Sequence, residues 1–385
     1  MKIAVIGAGV IGVSIATELL SRGATVSLVD MNAPGSGTSA TSFAWVNSNN
    51  KHPQHYYELN LAGVRAHHDL AARGGEWFHP TGHVEVAVDH GHQQELRGRL
   101  ERLAGLGYEA EVVGAQRMRE LIPDLKVPGH DPIGAFYPRE AHIDPALYIK
   151  HMLAQAISLG VSVQSPAKVI NLTPTGQGCQ VELDNGTTLE VDRVVTAAGR
   201  WTNEITELAG LPQVMAETRH AGDATMGYLA ITSPVSASMG RVLTSPLLNA
   251  RPGPDGSLVL QALDLDATAE TGTKPGNESE LAAEFLRRLN GILAHTEDVR
   301  ITDIQVAQRA IPADALSVIG SFDQAPWAYV VATHSGVTLA PFLGKQVAEE
   351  ILGGHEPLFE PFRPERLVSA SPLSPLAAPR RPGEQ

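Results

Sequence analysis

The chain has 385 residues, of which 43% are hydrophobic and 18% charged, a composition typical of a folded protein rather than a disordered one. The formal net charge is −13, from 29 basic and 42 acidic residues. It argues against nucleic acid as the main partner, because no general positive field would attract a phosphate backbone. The single cysteine, Cys179, excludes an intramolecular disulfide and a cysteine-ligated zinc or iron–sulfur site.

The length suits one large α/β unit, or two interlocked domains, around a buried cofactor. After Met1 and Lys2 the sequence runs directly into an apolar strand, without the charged and apolar regions of a signal peptide. No stretch approaches the roughly twenty apolar residues that span a bilayer. We therefore expect a cytoplasmic protein without a membrane partner.

The first thirty residues predict a strand, a helix and a second strand. Residues 3–6 form a short apolar run typical of a buried parallel strand. The helix that follows has its apolar stripe at Ile11, Ile15, Leu19 and Leu20. Gly23 is placed as its C-terminal cap, and residues 25–29 form a second strand that ends at Asp30.

A G-x-G-x-x-G motif at residues 7–12 lies between the first strand and the helix. Gly7 permits the tight turn, Gly9 lets backbone N–H groups approach a pyrophosphate, and Gly12 lets helix and strand pack closely. The helix N-terminus would face the phosphates, and Asp30 would bind ribose hydroxyls and repel the 2′-phosphate of NADP. The alternative is a glycine-rich turn in another doubly wound fold, and the motif does not distinguish NAD from FAD.

Four later segments carry a resemblance to a known family. A small polar loop occupies residues 35–40, and Asp144-Pro145 begin a predicted helix that continues to about residue 159. A strand and turn follow at residues 194–201, with a pair of segments at 317–320 and 333–341. In this order they resemble FAD-dependent amino acid and amine oxidases of the D-amino acid oxidase, glycine oxidase and sarcosine oxidase superfamily, nearest in pattern to glycine oxidase.

The resemblance implies an α/β fold, in which a Rossmann-like FAD-binding domain is interleaved with an α+β substrate domain built on an antiparallel sheet. The FAD-binding domain would comprise residues 1–50, 140–210 and 301–365, the substrate domain 51–139 and 211–300, and a disordered tail 366–385. It implies FAD contacts at Gly7, Ala8, Gly9, Val10, Ile11, Gly12, Asp30, Gly37, Thr38, Ser39, Val169, Ala198, Gly199, Trp201, Gly336, Val337 and Thr338. Trp45 and Asn47 are further candidates, although core packing explains Trp45 equally well.

The last of these segments also predicts a helix from its own pattern. Its apolar stripe consists of Leu339, Leu343, Val347 and Ile351. Gly336 opens the helix, whose N-terminus would stabilise negative charge on the flavin if it points at the ring. An ordinary helix packed on the sheet is the alternative, and both descriptions can hold.

The two insertions into the FAD-binding domain, residues 51–139 and 211–300, contain fewer sequence patterns that predict a structure or a function. Residues 228–232 and 258–261 predict strands joined through the turn at 252–256, and residues 278–293 predict an amphipathic helix. The first insertion is rich in histidine, with His52, His55, His67, His68, His79, His83, His90 and His92. A metal site is the more specific hypothesis, but the histidines and acidic residues do not show the spacing of metal ligands. We therefore expect solvent-facing or capping histidines and no metal.

Arg309 is the candidate for binding a substrate carboxylate, because the resemblance to glycine oxidase places an arginine eleven residues before Gly320. A guanidinium can grip a carboxylate through two parallel hydrogen bonds. The alternative is a structural arginine paired with Asp303 or Asp314. Two positions depart from the family pattern: Asn249 stands where glycine oxidase carries a tyrosine, and His334 replaces a second arginine.

These departures suggest a substrate other than free glycine, such as a secondary amine with a carboxymethyl arm. The expected reaction is hydride transfer from the amine carbon to flavin N5, imine hydrolysis, and reoxidation by O2 that gives H2O2. The sarcosine oxidases that the chain resembles attach their flavin to a cysteine in the region that corresponds to Arg309. No cysteine lies there in this sequence, so FAD is expected to be non-covalent. The alternatives are a dehydrogenase that passes electrons to a quinone or protein acceptor, an NAD-dependent dehydrogenase, and an inactive flavin-binding scaffold.

Overall fold

A computed structural model of the chain describes residues 1–127 and 132–368, together with residue 376. In this part of the chain, two large sheets of six and eight strands are accompanied by two three-stranded sheets. The arrangement confirms the predicted α/β class, with a parallel sheet and a second, largely antiparallel one.

The six-stranded sheet carries the N-terminal motif. From edge to edge its strands are Val318–Phe322, Ala325–Ala332, Arg193–Thr196, Lys2–Ile6, Thr25–Val29 and Ser162–Gln164. All neighbours pair in parallel except the first two, which are antiparallel. Since the carboxyl ends of parallel strands share one edge of the sheet, the turns after residues 6, 29 and 196 meet there.

Four helices pack against one face of this sheet around one apolar core, which includes Ile3, Val5 and Leu28 of the strands. The helices concerned are Val10–Ser21, Gln54–Ala71, Pro145–Ser158 and Gly336–Ile351. As predicted, Asp144 caps the third of these, and its side chain accepts hydrogen bonds from the Ala146 and Leu147 N–H groups. Gly23 has φ of +84°, which fits the predicted cap after the first helix.

A three-stranded antiparallel sheet, which contains the cysteine, packs against Ala4, Ile6 and Val194 of the six-stranded sheet through a separate apolar cluster. Its strands are Val169–Pro174, Cys179–Leu183 and Thr188–Val191. The second three-stranded sheet combines Trp45–Val46, Phe78–His79 and Ala141–Ile143. Cys179 is buried and does not line the large cavity described below.

The eight-stranded sheet unites the two insertions. Its strands, from edge to edge, are Ile301–Gln308, Met226–Thr232, Leu258–Gln261, Asn249–Pro252, Val242–Thr244, His83–Ala87, Ile133–Tyr137 and Glu111–Gly114. Val242–Thr244 pairs in parallel with His83–Ala87, and the other neighbours are antiparallel. The turn at residues 252–256 joins the third and fourth of these strands, rather than the two strands predicted.

Two predicted boundaries are corrected by the structure. The strand Ile301–Gln308, assigned from sequence to the FAD-binding domain, pairs along its length with Met226–Thr232 in the eight-stranded sheet. Glu365–Val368 form a short helix, in which Arg366 pairs with Asp314 at 2.7 Å, although the disordered tail was predicted to begin at 366. Apart from residue 376, the rest of the predicted tail lies outside the described residues.

The remaining helices lie around the eight-stranded sheet and the ends of the molecule. They are His90–Gly105, Ala115–Leu121, Thr202–Leu208 and Glu280–Ile292, with 3-10 turns at Gly199–Trp201, Pro254–Gly256, Leu265–Thr268 and Pro357–Phe362. The predicted helix at 278–293 is thus shorter by a few residues, and Ser279 caps it. None of the helices within the described ranges combines the length and the apolar character needed to cross a membrane.

Candidate functional site

A cavity of about 820 Å³ is lined by residues of both large sheets. This volume lies in the range of sites that bury a cofactor or a drug-sized ligand. Its lining includes the glycine turn and Asp30, as well as Tyr228, Gln261 and Arg309. The cavity therefore connects the predicted cofactor motif with the predicted substrate residues.

The glycine turn is built so that side chains are excluded from it. Gly7 has φ of +104°, and a Cβ there would lie 2.4 Å from the Ala197 carbonyl oxygen. A Cβ on Gly12 would lie 1.7 Å from the Gly7 carbonyl oxygen. Only glycine fits at both positions, so the first strand, the helix and the strand before Ala197 approach closely.

Asp30 supports this turn as well as facing the cavity. Its Oδ2 accepts a hydrogen bond from the Ala8 N–H at 2.7 Å, and its Oδ1 accepts one from the Asn32 N–H at 2.9 Å. Burial raises the pKa of Asp30, and these two hydrogen bonds oppose the shift. The carboxylate thus fixes the turn next to the place where a ribose would bind.

The polar loop lies over the start of the first helix. Ser39 Oγ accepts a hydrogen bond from the Val10 N–H at 3.2 Å, and a Cβ on Gly9 would lie 3.0 Å from the same oxygen. A Cβ on Gly37 would lie 2.9 Å from the Trp201 ring. This cradle of glycines at a helix N-terminus fits a diphosphate, and with Asp30 it fits a dinucleotide such as FAD.

Most of the predicted cofactor residues line the cavity. They are Gly7, Gly9, Val10, Ile11, Asp30, Gly37, Thr38, Ser39, Val169, Ala198, Gly199, Trp201, Gly336, Val337 and Thr338. Ala8 and Gly12 do not line it: the Ala8 N–H is bound by Asp30, and Gly12 serves helix packing. Trp45 and Asn47 also line the cavity.

The C-terminal helix begins at the cavity and is tied to the N-terminal region. Thr338 Oγ1 donates a hydrogen bond to the Trp45 carbonyl at 3.2 Å and accepts one from the Asn47 N–H at 3.3 Å. Nε2 of the buried His67 donates to the Val337 carbonyl at 2.8 Å. These contacts fix the helix N-terminus against the loop that holds Trp45 and Asn47.

Arg309 lines the cavity, but its ion-pair partner was not predicted. The guanidinium pairs with Asp266, and Nη1 donates to the carbonyls of Ala224 at 3.0 Å and Met226 at 2.5 Å. The predicted alternatives are occupied elsewhere, because Asp303 pairs with Lys274 and Asp314 with Arg366. Within the described residues, Arg309 Nε makes no hydrogen bond and is not fully buried.

Asn249 does not line the cavity, which corrects its predicted place beside the substrate. It is fully buried, and its Nδ2 donates to Gln261 Oε1 at 3.3 Å. Gln261 is its cross-strand neighbour and does line the cavity. The sequence resemblance pointed to the strand Asn249–Pro252, whereas the amide that lines the cavity, Gln261, lies on the neighbouring strand Leu258–Gln261.

His334 lines the cavity and is joined there by Lys51, which was not predicted. Burial, together with the positive charges of Lys51 and Arg309, lowers the pKa of His334 to about 3. The imidazole is therefore neutral at pH 7. Lys51 directly follows a polar stretch, residues 47–50, and this was the only local sign of a functional loop.

The histidines of the first insertion were predicted to face solvent or to cap helices, but His67 and His83 are fully buried. His67 stacks on Phe78, and His83 Nδ1 lies 3.1 Å from Glu140 Oε2. His92 Nε2 lies 3.1 Å from Glu85 Oε1. The described residues contain no group of three or more His, Cys, Asp or Glu side chains placed to hold a metal ion.

Two relatives align with almost the whole chain. The uncharacterized oxidoreductase YurR of Bacillus subtilis (strain 168) is 26% identical over 381 residues, which cover 91% of this chain and 94% of that protein. One of the subunits of opine oxidase from Rhizobium meliloti is 23% identical over 373 residues, which cover 91% of this chain and 93% of that protein.

Several solved structures share the fold. L-proline dehydrogenase from P. horikoshii has a TM-score of 0.82 at 19% identity, covering 95% of this chain and 97% of that one. Glycine oxidase from Geobacillus kaustophilus has a TM-score of 0.82 at 18% identity, covering 94% and 98%. Iminodiacetate oxidase from Chelativorans sp. BNC1 has a TM-score of 0.76 at 22% identity, covering 97% and 100%.

The family model described as DAO, FAD dependent oxidoreductase, matches residues 2–350. The match includes the glycine turn, Asp30, both insertions and nearly all of the C-terminal helix. This protein belongs to the DAO family of FAD-dependent oxidoreductases.

Proposed function

We propose that this enzyme oxidises the C–N bond of an N-substituted glycine or a related amino acid, with dioxygen as the final electron acceptor. The substrate loses a hydride from the carbon next to nitrogen and a proton from nitrogen, water hydrolyses the resulting imine, and O2 is reduced to H2O2. Bound FAD supplies the two-electron acceptor for this chemistry. The chain's own residues position the substrate.

The observation that carries the proposal is the set of hydrogen bonds made by the Arg309 guanidinium. Asp266 and the carbonyls of Ala224 and Met226 hold its guanidinium in place, while its Nε–H makes no hydrogen bond within the described residues and is not fully buried. A carboxylate bound there gains a charge-assisted hydrogen bond from a pre-organised donor. A fixed carboxylate in turn orients the neighbouring carbon and nitrogen.

A neutral His334 is also consistent with a substrate that carries an amine beside its carboxylate. Because its pKa is about 3, the imidazole adds no positive charge that would repel an ammonium, and it can donate or accept one hydrogen bond. Gln261, which also lines the cavity, offers both an amide donor and an acceptor. These groups suit a polar amine held beside a carboxylate better than an apolar amine.

The names of similar proteins support the proposed substrate class. They are also compatible with an electron acceptor other than O2. Glycine oxidase and iminodiacetate oxidase act, by name, on glycine and on an N-substituted glycine. L-proline dehydrogenase has an equally similar fold and is named as a dehydrogenase. A dehydrogenase that passes electrons to a quinone or protein carrier is therefore the second candidate.

Steady-state assays with the purified holoenzyme test the proposal. Glycine, sarcosine, longer N-alkyl glycines and D- and L-amino acids are offered in air-saturated buffer, and oxygen consumption and H2O2 formation are measured together. We expect N-alkyl glycines to give the highest kcat/KM, with one H2O2 formed per O2 consumed. Turnover with a dye or quinone but without oxygen consumption would favour the dehydrogenase, and turnover restricted to amines without a carboxylate would overturn the proposal.

A further inference from the structure

A second basic side chain, Lys51, lines the cavity together with Arg309. Lys51 belongs to the loop between the strand Trp45–Val46 and the helix Gln54–Ala71, and only 4% of its surface is exposed. Arg309 directly follows the strand Ile301–Gln308. Two separate elements of the fold thus bring two cationic side chains to one cavity in a protein whose net charge is −13.

The loop that carries Lys51 is held by Asn49, which is fully buried. Its backbone N–H and its Nδ2 donate to Glu140 Oε1 at 3.3 and 2.8 Å. Its Oδ1 accepts from Arg99 Nη1 at 3.0 Å, and its carbonyl accepts from Arg102 Nη2 at 2.8 Å. All the polar groups of Asn49 are bound, so the position of the loop two residues before Lys51 is fixed.

Glu140, the nearby carboxylate, is itself strongly engaged. Its Oε2 accepts from Trp45 Nε1 at 3.0 Å, and its Oε1 accepts from the Tyr108 hydroxyl at 2.7 Å in addition to Asn49. Burial lowers the pKa of Lys51 to about 8, and Glu140 opposes the shift. Lys51 is therefore cationic at pH 7, because its pKa stays above that value.

Both cations have a carboxylate nearby, because Asp266 pairs with Arg309 and the charge of Glu140 acts on Lys51. The Nε–H of Arg309 makes no hydrogen bond within the described residues, so it can act as a directed donor. Lys51 adds a compact positive charge to the lining of the same cavity. A ligand with a single carboxylate can use one of these two sites, whereas a ligand with two carboxylates can use both.

We propose that Lys51 and Arg309 together bind a substrate with two carboxylates, one on each arm of a secondary amine. The substrate class is then N-carboxyalkyl amino acids of the iminodiacetate type, and Lys51 is the specificity-determining residue that separates them from N-alkyl glycines. This inference rests on the proposed function and names the substrate of the same site. Asn49 acts as a positioning residue for Lys51.

Binding of two matched ligands that cannot be oxidised as amines tests this inference. Diglycolate is the ether analogue of iminodiacetate, and methoxyacetate is the corresponding analogue of sarcosine. The affinity of each for the FAD-loaded enzyme is measured by isothermal titration calorimetry. We expect diglycolate to bind at least about tenfold more tightly than methoxyacetate, as one added charge-assisted hydrogen bond would give.

Three variants identify the residue responsible. Lys51→Met is expected to bring diglycolate to the affinity of methoxyacetate, and Lys51→Arg to keep most of the preference. Lys274→Met is the matched control, because Lys274 is 75% exposed and pairs with Asp303 at the surface; it should leave both affinities unchanged. Visible spectra of the loaded variants verify that each still binds FAD, and the arginine variant preserves the test if the methionine variant does not fold.

The outcomes separate this inference from the proposed function. Equal affinity of the two ligands for the unaltered enzyme, or a preference that survives Lys51→Met, would overturn the two-carboxylate site. The same enzyme could still oxidise N-alkyl glycines, and the oxygen assay would show this independently. Conversely, a Lys51-dependent preference for diglycolate would stand even if oxygen were not the electron acceptor.

Discussion

Arg309 and Asp266 form an ion pair whose side chains are only 11% and 8% exposed. Asp266 also accepts a hydrogen bond from the Tyr228 N–H at 2.8 Å. Its carboxylate therefore links the strand Met226–Thr232 to Arg309, which follows the paired strand Ile301–Gln308. Burial raises the pKa of Asp266, and the charge of Arg309 opposes the shift. Asp266 therefore holds the guanidinium of Arg309, the proposed carboxylate-binding group, in place.

Replacing Asp266 with Asn should destabilise the fold. The change leaves Arg309 as a buried cation without its counter-ion, which typically costs about 3–5 kcal/mol. Asp303→Asn is the control, because Asp303 is 31% exposed and its partner Lys274 is 75% exposed, and its loss should cost less than about 1 kcal/mol. Urea unfolding of the two variants gives both numbers. Equal losses would show that the Arg309–Asp266 pair contributes no more than a surface pair.

Removing the guanidinium itself should weaken carboxylate binding. The double variant Arg309→Met with Asp266→Asn avoids leaving a buried carboxylate unpaired, and it should raise KM for an N-alkyl glycine by roughly ten- to a hundredfold. The visible spectrum of bound FAD should change little. The single variant Asp266→Asn serves as the reference. An unaltered KM in the double variant would reject Arg309 as the carboxylate-binding residue.

A methyl group at Gly9 should weaken FAD binding. The added Cβ would lie 3.0 Å from Ser39 Oγ, within the cradle where backbone N–H groups approach a diphosphate. Gly98→Ala is the control: Gly98 lies in the helix His90–Gly105, a Cβ there meets nothing within 4 Å, and the change should stabilise the helix by about 0.5–1 kcal/mol. Fluorescence titration of the apoproteins with FAD measures the effect. Equal FAD affinity in both variants would place the diphosphate elsewhere.

Glu85 should make stability depend on pH in the acidic range. Burial alone would raise its pKa, but hydrogen bonding to His92 and the charge of Arg99 lower it to about 2, against an ordinary value of 4.5. A depressed carboxyl pKa contributes stability above pH 4.5 that is lost as pH falls towards 2. The contribution is on the order of 3 kcal/mol.

The matched variants are Glu85→Gln and Glu111→Gln, since the Glu111 side chain is 47% exposed in a surface pair with Arg117. The difference in unfolding free energy between the unaltered protein and Glu85→Gln should shrink as pH falls from 4.5 to 2. For Glu111→Gln the difference should be small and nearly constant. A constant gap for Glu85→Gln would mean that the carboxylate is not held ionised by its neighbours.

The cofactor end of the cavity could be predicted from sequence because its signals are local. The turn at Gly7 and the acid at Asp30 depend on a strand, a helix and a strand within thirty residues. Each of these elements has its own pattern of apolar residues and caps. Pairing of the first two strands in parallel then brings the turn and the acid together.

The substrate end could not be predicted in the same way, because its contacts join distant parts of the chain. Asp266 and Arg309 are 43 residues apart and meet through the pairing of Met226–Thr232 with Ile301–Gln308. Nothing near Arg309 in sequence distinguishes Asp266 from Asp303 or Asp314. Lys51 was missed for a related reason: it lies in an irregular loop, where no periodicity indicates the direction of a side chain.

Anaerobic titration of the FAD-loaded enzyme with sarcosine and iminodiacetate tests the central claim most directly. We expect the visible absorbance of the flavin to disappear, at lower concentrations of iminodiacetate than of sarcosine, and to return when oxygen is admitted. A flavin that dithionite bleaches, but that neither compound nor any D- or L-amino acid reduces, would contradict the claim that this cavity oxidises carboxylate-bearing amines.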